Sequence, residues 1–219
     1  MPTTIAVTGR AEERIDPELG AVALTVTSNG GDRDRVLHAV RVAHERLLAG
    51  IRDLDGAGSL ESWSAGQLRV WSRRPFNSDG RQLPLVHQAA AQLEVVFRDL
   101  DALGAWVGPA SSSEEITVDG VDWRLTDATR ARVQETAQRA AVADAVRKAR
   151  VYAEALGLSA PAPVELADHG MLSEQPMPKA HQAVAVRGFA MEAGGPPAPE
   201  LAPATLVVEA SVDARFTAG

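Results

Sequence analysis

Two rhythms of apolar and polar residues run along the chain, and their changes mark its elements. Near the start, Ile5, Val7 and Gly9 alternate with Thr4, Ala6 and Thr8, a pattern continuing to Ile15. A period of two is that of a β-strand with one face turned inward. Pro17 in "DPELG" supplies a turn. Val22, Leu24 and Val26 then resume the alternation to about Ser28, where "NGGD" ends it. Asp32 is placed to cap a helix, and Val36, Val40, Ala43, Leu47 and Ile51 fall on one helical face over about 32–54. His38, Arg41 and Glu45 lie opposite, towards water.

A hairpin is expected next. Trp63 and Ala65 share one phase, Leu68 and Val70 the other, so a bulge near Gly66 is required. Asp79 and Gly80 carry the turn signal, and Leu83, Leu85, Ala89, Ala91, Leu93, Val95 and Phe97 share one face of the return strand. Asp99 opens a short helix over about 99–108, with Leu100, Leu103 and Val107 inward. A strand over 116–125 changes phase at Gly120. Thr126 or Asp127 then caps a long helix, about 127–156, ending near the C′ glycine Gly157.

In that helix Val133, Ala137, Ala141, Ala145, Ala149 and Ala153 recur every fourth residue, flanked by Val142, Val146, Tyr152 and Leu156. Small side chains let a helix approach a sheet closely, and alanine favours the helix itself. Arg147, Lys148 and Arg150 form a basic cluster in its last third, where positive charge suits the helix dipole. Asp144 precedes Lys148 by four, and Arg150 precedes Glu154 by four, both within pairing reach. The cluster thus has a local explanation that requires no ligand.

Residues 159–204 break the rhythm and hold eight of the 13 prolines. They read as a Pro/Gly-rich arm with short strands around 164–166 and 183–187. The chain then closes on a regular strand, with Leu206, Val208, Ala210, Val212, Ala214 and Phe216 in one phase. This order of elements predicts an α+β fold, mainly antiparallel sheet packed by two longer helices and one short one, in a single domain over 1–219.

Composition narrows the chemistry. The net charge of −7 argues against a nucleic-acid protein held by a large basic surface. The absence of cysteine excludes disulfides, thiolate metal sites and thiol catalysis. No run approaches the roughly 18 apolar residues of a membrane span. The N-terminal "MPTTIAVTGR" lacks the basic and apolar regions of a secretory signal, so a cytoplasmic location is the expectation.

Catalytic motifs are missing. His38 and His44 stand six apart on one helix and point in different directions. His87 falls on the apolar phase of its strand, as a core or interface histidine would. His169 and His181 sit in the arm, Asp168 beside the first, and loop polarity accounts for them better than metal ligation. "GAGSL" is not a nucleophile elbow. "SSSEE" (111–115) reads as a solvated connection, and "TGRAEE" has no phosphate-loop lysine. Glu12 and Glu13, adjacent on a strand, point to opposite faces. No catalytic, cofactor or metal residue is assigned, and no cofactor is expected.

Two segments are candidates for contact. "QLRVWSRRPF" interleaves Arg69, Arg73 and Arg74 with Trp71 and Phe76, Arg81 lying beyond the turn. That mixture suits a plain solvated hairpin tip first, a subunit contact next and, least readily, stacking on single-stranded nucleic acid. In the arm, Met171, Met177, Phe189 and Leu201 offer too little apolar surface to fold alone, as a segment docking on another subunit would.

Four stretches taken together resemble the SIMPL domain. These are "VTGRAEERIDPELGAVALTV", "HQAAAQLEVVFRDLDALGAWV", "ITVDGVDWRLTDATRARVQETAQRAAVADAVRKARVYAEALGL" and "LAPATLVVEASVDARF". The third carries the most recognisable part: a strand, an L-T-D cap, then A-x-x-D-A-x-x-K-A-x-x-x-A-x-x-L-G. The resemblance implies an α+β domain, often exported to a periplasm or envelope, that assembles into homo-oligomers and is loosely associated with stress responses. It brings no catalytic residues. Three readings stand: a noncatalytic self-assembling module; a small hydrolase-type enzyme with a polar pocket near the arm, using Asp168 and His169; and a nucleic-acid contact through the hairpin 69–81.

Overall fold

A computed structural model describes residues 2–76, 82–172 and 202–219. Its elements are β1 (Thr3–Ile15), β2 (Leu19–Gly30), α1 (Arg33–Gly56), β3 (Leu60–Ala65), β4 (Arg69–Arg73), β5 (Val86–Phe97), α2 (Leu100–Ala110), β6 (Ile116–Arg124), α3 (Asp127–Ala155), β7 (Ala162–Asp168) and β8 (Leu206–Ala218). The fold is α+β, and every strand pairing among the described residues is antiparallel. Among the described residues no helix is long and apolar enough to cross a membrane. The chain divides into two compact units, one built on β1, α3, β7 and β8, the other on the segment from Pro17 to Arg124.

In the first unit the sheet order is β1-β8-β7. The chain's two ends make its central ladder, Thr3 opposite Ala218 through Ile15 opposite Leu206. Alternation along β8 buries Ala210, Val212, Ala214, Phe216 and Ala218 with Ile5 of β1 against Ala137, Ala141, Ala145, Ala149 and Ala153 of α3. Each buried methyl contributes only about 0.8 kcal/mol; what the small side chains provide is proximity. A Cβ at Gly9 would lie 2.0 Å from the Ala141 carbonyl oxygen and 2.8 Å from the Ala145 Cβ, so only glycine fits beneath this helix. Thr126 caps α3 through the Thr129 amide. At the other end Gly157, at φ +69°, completes a Schellman motif: its amide reaches the Glu154 carbonyl and that of Leu158 the Ala153 carbonyl.

In the second unit the sheet order is β3-β5-β2-β6, with β4 also on β5. Val36, Val40, Ala43, Leu47 and Ile51 of α1 pack on Val22, Leu24, Val26, Ala89, Leu93, Val95 and Phe97. Asp32 and Asp99 cap α1 and α2. Leu103 of α2 is buried, and Trp106 stacks obliquely on Phe97 with ring centres 5.4 Å apart. A second Schellman turn, at Gly58 with φ +78°, carries α1 to Gly56, past the expected end at 54.

Both expected phase changes are bulges. Ala65 faces Leu93 and Arg69 faces Ala90, so one extra residue lies on the edge strand around Gly66, dividing it into β3 and β4. Ala23 faces Gly120 while Leu24 faces Val118, leaving Asp119 extruded, where its carboxylate accepts the Thr25 hydroxyl at 2.6 Å.

The structure corrects two readings. Leu83 and Leu85 are not in the return strand, which begins at Val86; Pro84 between them has no amide to give the ladder. The arm's first strand is longer than expected, since β7 pairs with β8 from Ala162 to Asp168. The expected strand at 183–187 and the turn at Asp79 and Gly80 lie outside the described residues.

Candidate functional site

Of the residues expected to meet a partner, Trp71, Arg73, Arg74 and Phe76 are brought together on and just beyond β4. Trp71 faces Gln88 across the ladder and Arg73 faces Val86. The Arg74 guanidinium donates to the Leu83 carbonyl at 2.9 Å, which ties the chain beyond Arg73 to the segment leading into the return strand. Trp71 remains 44% exposed and Phe76 94% exposed, with Leu68 and Leu85 also exposed. His87 is half-buried rather than core, and its Nδ1 lies 2.7 Å from the Ser72 hydroxyl. Exposed aromatic side chains on and beside an edge strand are a surface that a partner can cover. Met171 is exposed in the other unit; Met177, Phe189 and Arg81 lie outside the described residues.

His169 does find a carboxylate, but not that of its neighbour Asp168. Its Nδ1 lies 3.1 Å from Asp213 on β8. The same carboxylate accepts the Gly170 amide at 2.7 Å and the Thr8 hydroxyl at 2.8 Å. Burial pushes the Asp213 carboxyl up, and the three donors outweigh it, leaving it below the ordinary carboxylate range. Arg215, two residues on, binds Glu165 at 2.7 Å and the Leu172 carbonyl at 3.1 Å. The cluster ties β1, β8 and the turn after β7 into one staple. The Ser211 hydroxyl lies buried on the same face of β8 with no partner among the described residues. Sequence reasoning missed Asp213 because it occupies an ordinary polar position in an alternating strand, and its partners are distant in sequence.

A second network joins α3 to β1. The Asp144 carboxylate binds Lys148 at 2.8 Å and Arg147, and it accepts the Arg10 amide at 3.0 Å. Lys148 donates in turn to the Thr8 carbonyl at 2.8 Å. Lys148, the Arg10 amide and Arg147 together hold the Asp144 carboxyl far below its ordinary value. Two members of the basic cluster are therefore engaged locally.

The histidines of α1 diverge as their spacing requires. His38 lines a shallow cleft of about 160 Å³ with Ala39, Val42, Ala43, Arg46 and Glu115, whereas His44 Nε2 is buried without a partner among the described residues. The Ser113 hydroxyl and Glu115's own amide hold the Glu115 carboxyl below its usual range. Among the described residues no group of three histidines or carboxylates could hold a metal ion.

A family model described as SIMPL, a protein of unknown function (DUF541), matches residues 5–216. The chain belongs to the SIMPL family. Comparison with curated proteins gives no match. The SIMPL match runs through both compact units, from β1 to β8, and so takes in the Gly9–α3 approach, the Asp213 staple and the β4 edge. The segments that carried the resemblance thus fall on β1, β2, β5, α2, β6, α3 and β8, while the contact residues of β4 decorate one edge of this SIMPL chain.

Proposed function

We propose that this SIMPL chain is a noncatalytic module, a single domain made of its two units, that assembles with copies of itself. The observation that carries this reading is the exposed aromatic surface of the β4 edge, Trp71 and Phe76 with Leu85, beside the cations Arg73 and Arg74. Aromatic residues and arginine are the types enriched where proteins meet. The family resemblance supports assembly and a place in stress responses. Static and dynamic light scattering on wild type and Trp71→Ala/Phe76→Ala test it: the variant is expected to show a smaller mass at unchanged secondary structure. Equal masses would remove the β4 edge from the interface.

The enzyme reading draws on the His169–Asp213 pair. It is the weaker one, because Asp213 is already shared between Thr8 and Gly170, and the geometry is that of a structural clamp. A nucleic-acid contact would draw on Arg69, Arg73 and Arg74, against a chain whose net charge is −7.

A further inference from the structure

We infer that the outer edge of β1 is a concealed self-pairing surface for a second copy of this chain, held shut by Asp144 and Lys148 of α3. Among the described residues β1 pairs with β8 on one side only, and its 13 residues would otherwise present a long row of backbone groups to any passing strand. Two of those groups are already taken: the Arg10 amide by Asp144 at 3.0 Å and the Thr8 carbonyl by Lys148 at 2.8 Å. In a strand, the amide and carbonyl of one residue point to one side and those of the next to the other. The outer edge therefore belongs to the even residues Thr8, Arg10, Glu12 and Arg14.

That edge is complementary to itself. Two β1 strands paired antiparallel about Ala11 set Arg10 opposite Glu12 twice and Thr8 opposite Arg14 twice. All are even positions, so all fall at hydrogen-bonded pairs, with opposite charges facing across the junction. Among the described residues Glu12 makes a long, exposed contact with its own Arg14, at 3.8 Å, which it would exchange for this. The pairing needs the Arg10 amide and the Thr8 carbonyl, the two groups α3 occupies.

The helix flank agrees with the strand. Asp144 precedes Lys148 by four, Val151 and Tyr152 lie three and four beyond Lys148, and both are 50% exposed. Strands about 4.8 Å apart would bring two α3 helices, each lying over β1 and β8, to about 10 Å. That is the separation of packed helices, so one apolar flank would meet the other. The opposite edge of the sheet is protected differently: β7 carries Pro163, which has no amide to donate. One edge is closed by a proline, the other by a side-chain clip that can open.

The test is the mass of Asp144→Ala/Lys148→Ala, measured by light scattering on a Trp71→Ala/Phe76→Ala background so that the outcome is separate from the β4 reading. The expected result is twice the mass of the background protein at tens of micromolar. Adding Arg10→Glu returns it to the background mass, and Arg10→Glu with Glu12→Arg restores the doubling. A folded clip variant that keeps the background mass overturns the proposal. Should the clip variant unfold, amide exchange on the wild type decides: Arg10 is expected to exchange at least tenfold more slowly than Glu12 and Arg14. Equal rates along the edge would mean that no clip guards it.

Discussion

Asp144 on α3 and Arg10 on β1 are 134 residues apart in sequence, yet the Arg10 amide donates to the Asp144 carboxylate at 3.0 Å. The bond exists because Gly9, the residue before Arg10 on β1, lets the helix come down almost onto the strand. A small residue on the sheet face thus sets the reach of charged residues on the helix flank, linking packing to electrostatics.

Gly9→Ala is expected to destabilise the protein by about 2 kcal/mol or more, since backbone rather than a flexible side chain stands in the way. Ala145→Leu should cost a similar amount for the same reason. The double variant should cost less than the sum, because once the helix has lifted for one change it accommodates the other. Urea unfolding of the three variants measures this; additive effects would mean that the two sites do not share one contact.

The Asp144 network also gives a pH dependence with a defined sign. The folded state lowers this carboxyl's pKa, so the network's stabilisation is complete above the ordinary carboxylate value of about 4. It is lost progressively as pH falls below that value. Asp144→Asn should therefore lower stability by about 1 kcal/mol at neutral pH and flatten the acid limb of the stability curve. Denaturant midpoints between pH 3 and 7 would show it; parallel curves for wild type and variant would argue that Asp144 is a passive surface residue.

Much of this was legible in the sequence, and the rest was not for a physical reason. The alanine ridge, the caps at Asp32, Asp99 and Thr126, Gly157 and the phase changes at Gly66 and Gly120 are local, written in spacings shorter than a strand. Which strands share a sheet is not local. Nothing in the alternation of β1 states that its partner is β8 at the other end of the chain, or that β2, only three residues further on, belongs to another sheet. The candidate residues divide the same way. Trp71 and Phe76 announced themselves by composition, whereas Asp213 acquires its meaning only when the fold brings Thr8 and Gly170 to it.

Removing that carboxylate should show locally first. Asp213→Ala leaves the Gly170 amide and the Thr8 hydroxyl without their acceptor and should cost about 1–3 kcal/mol. The Gly170 amide should exchange at least tenfold faster, while amides in α3 slow relative to it report the intact unit. A variant in which Gly170 stays protected would show that the turn is held by other contacts.

The central claim, that this SIMPL chain assembles with itself, is tested most directly by multi-angle light scattering of the full chain at tens of micromolar. The expected mass is at least twice 23.1 kDa, falling in Trp71→Ala/Phe76→Ala. A wild-type mass of a single chain across that concentration range would contradict it.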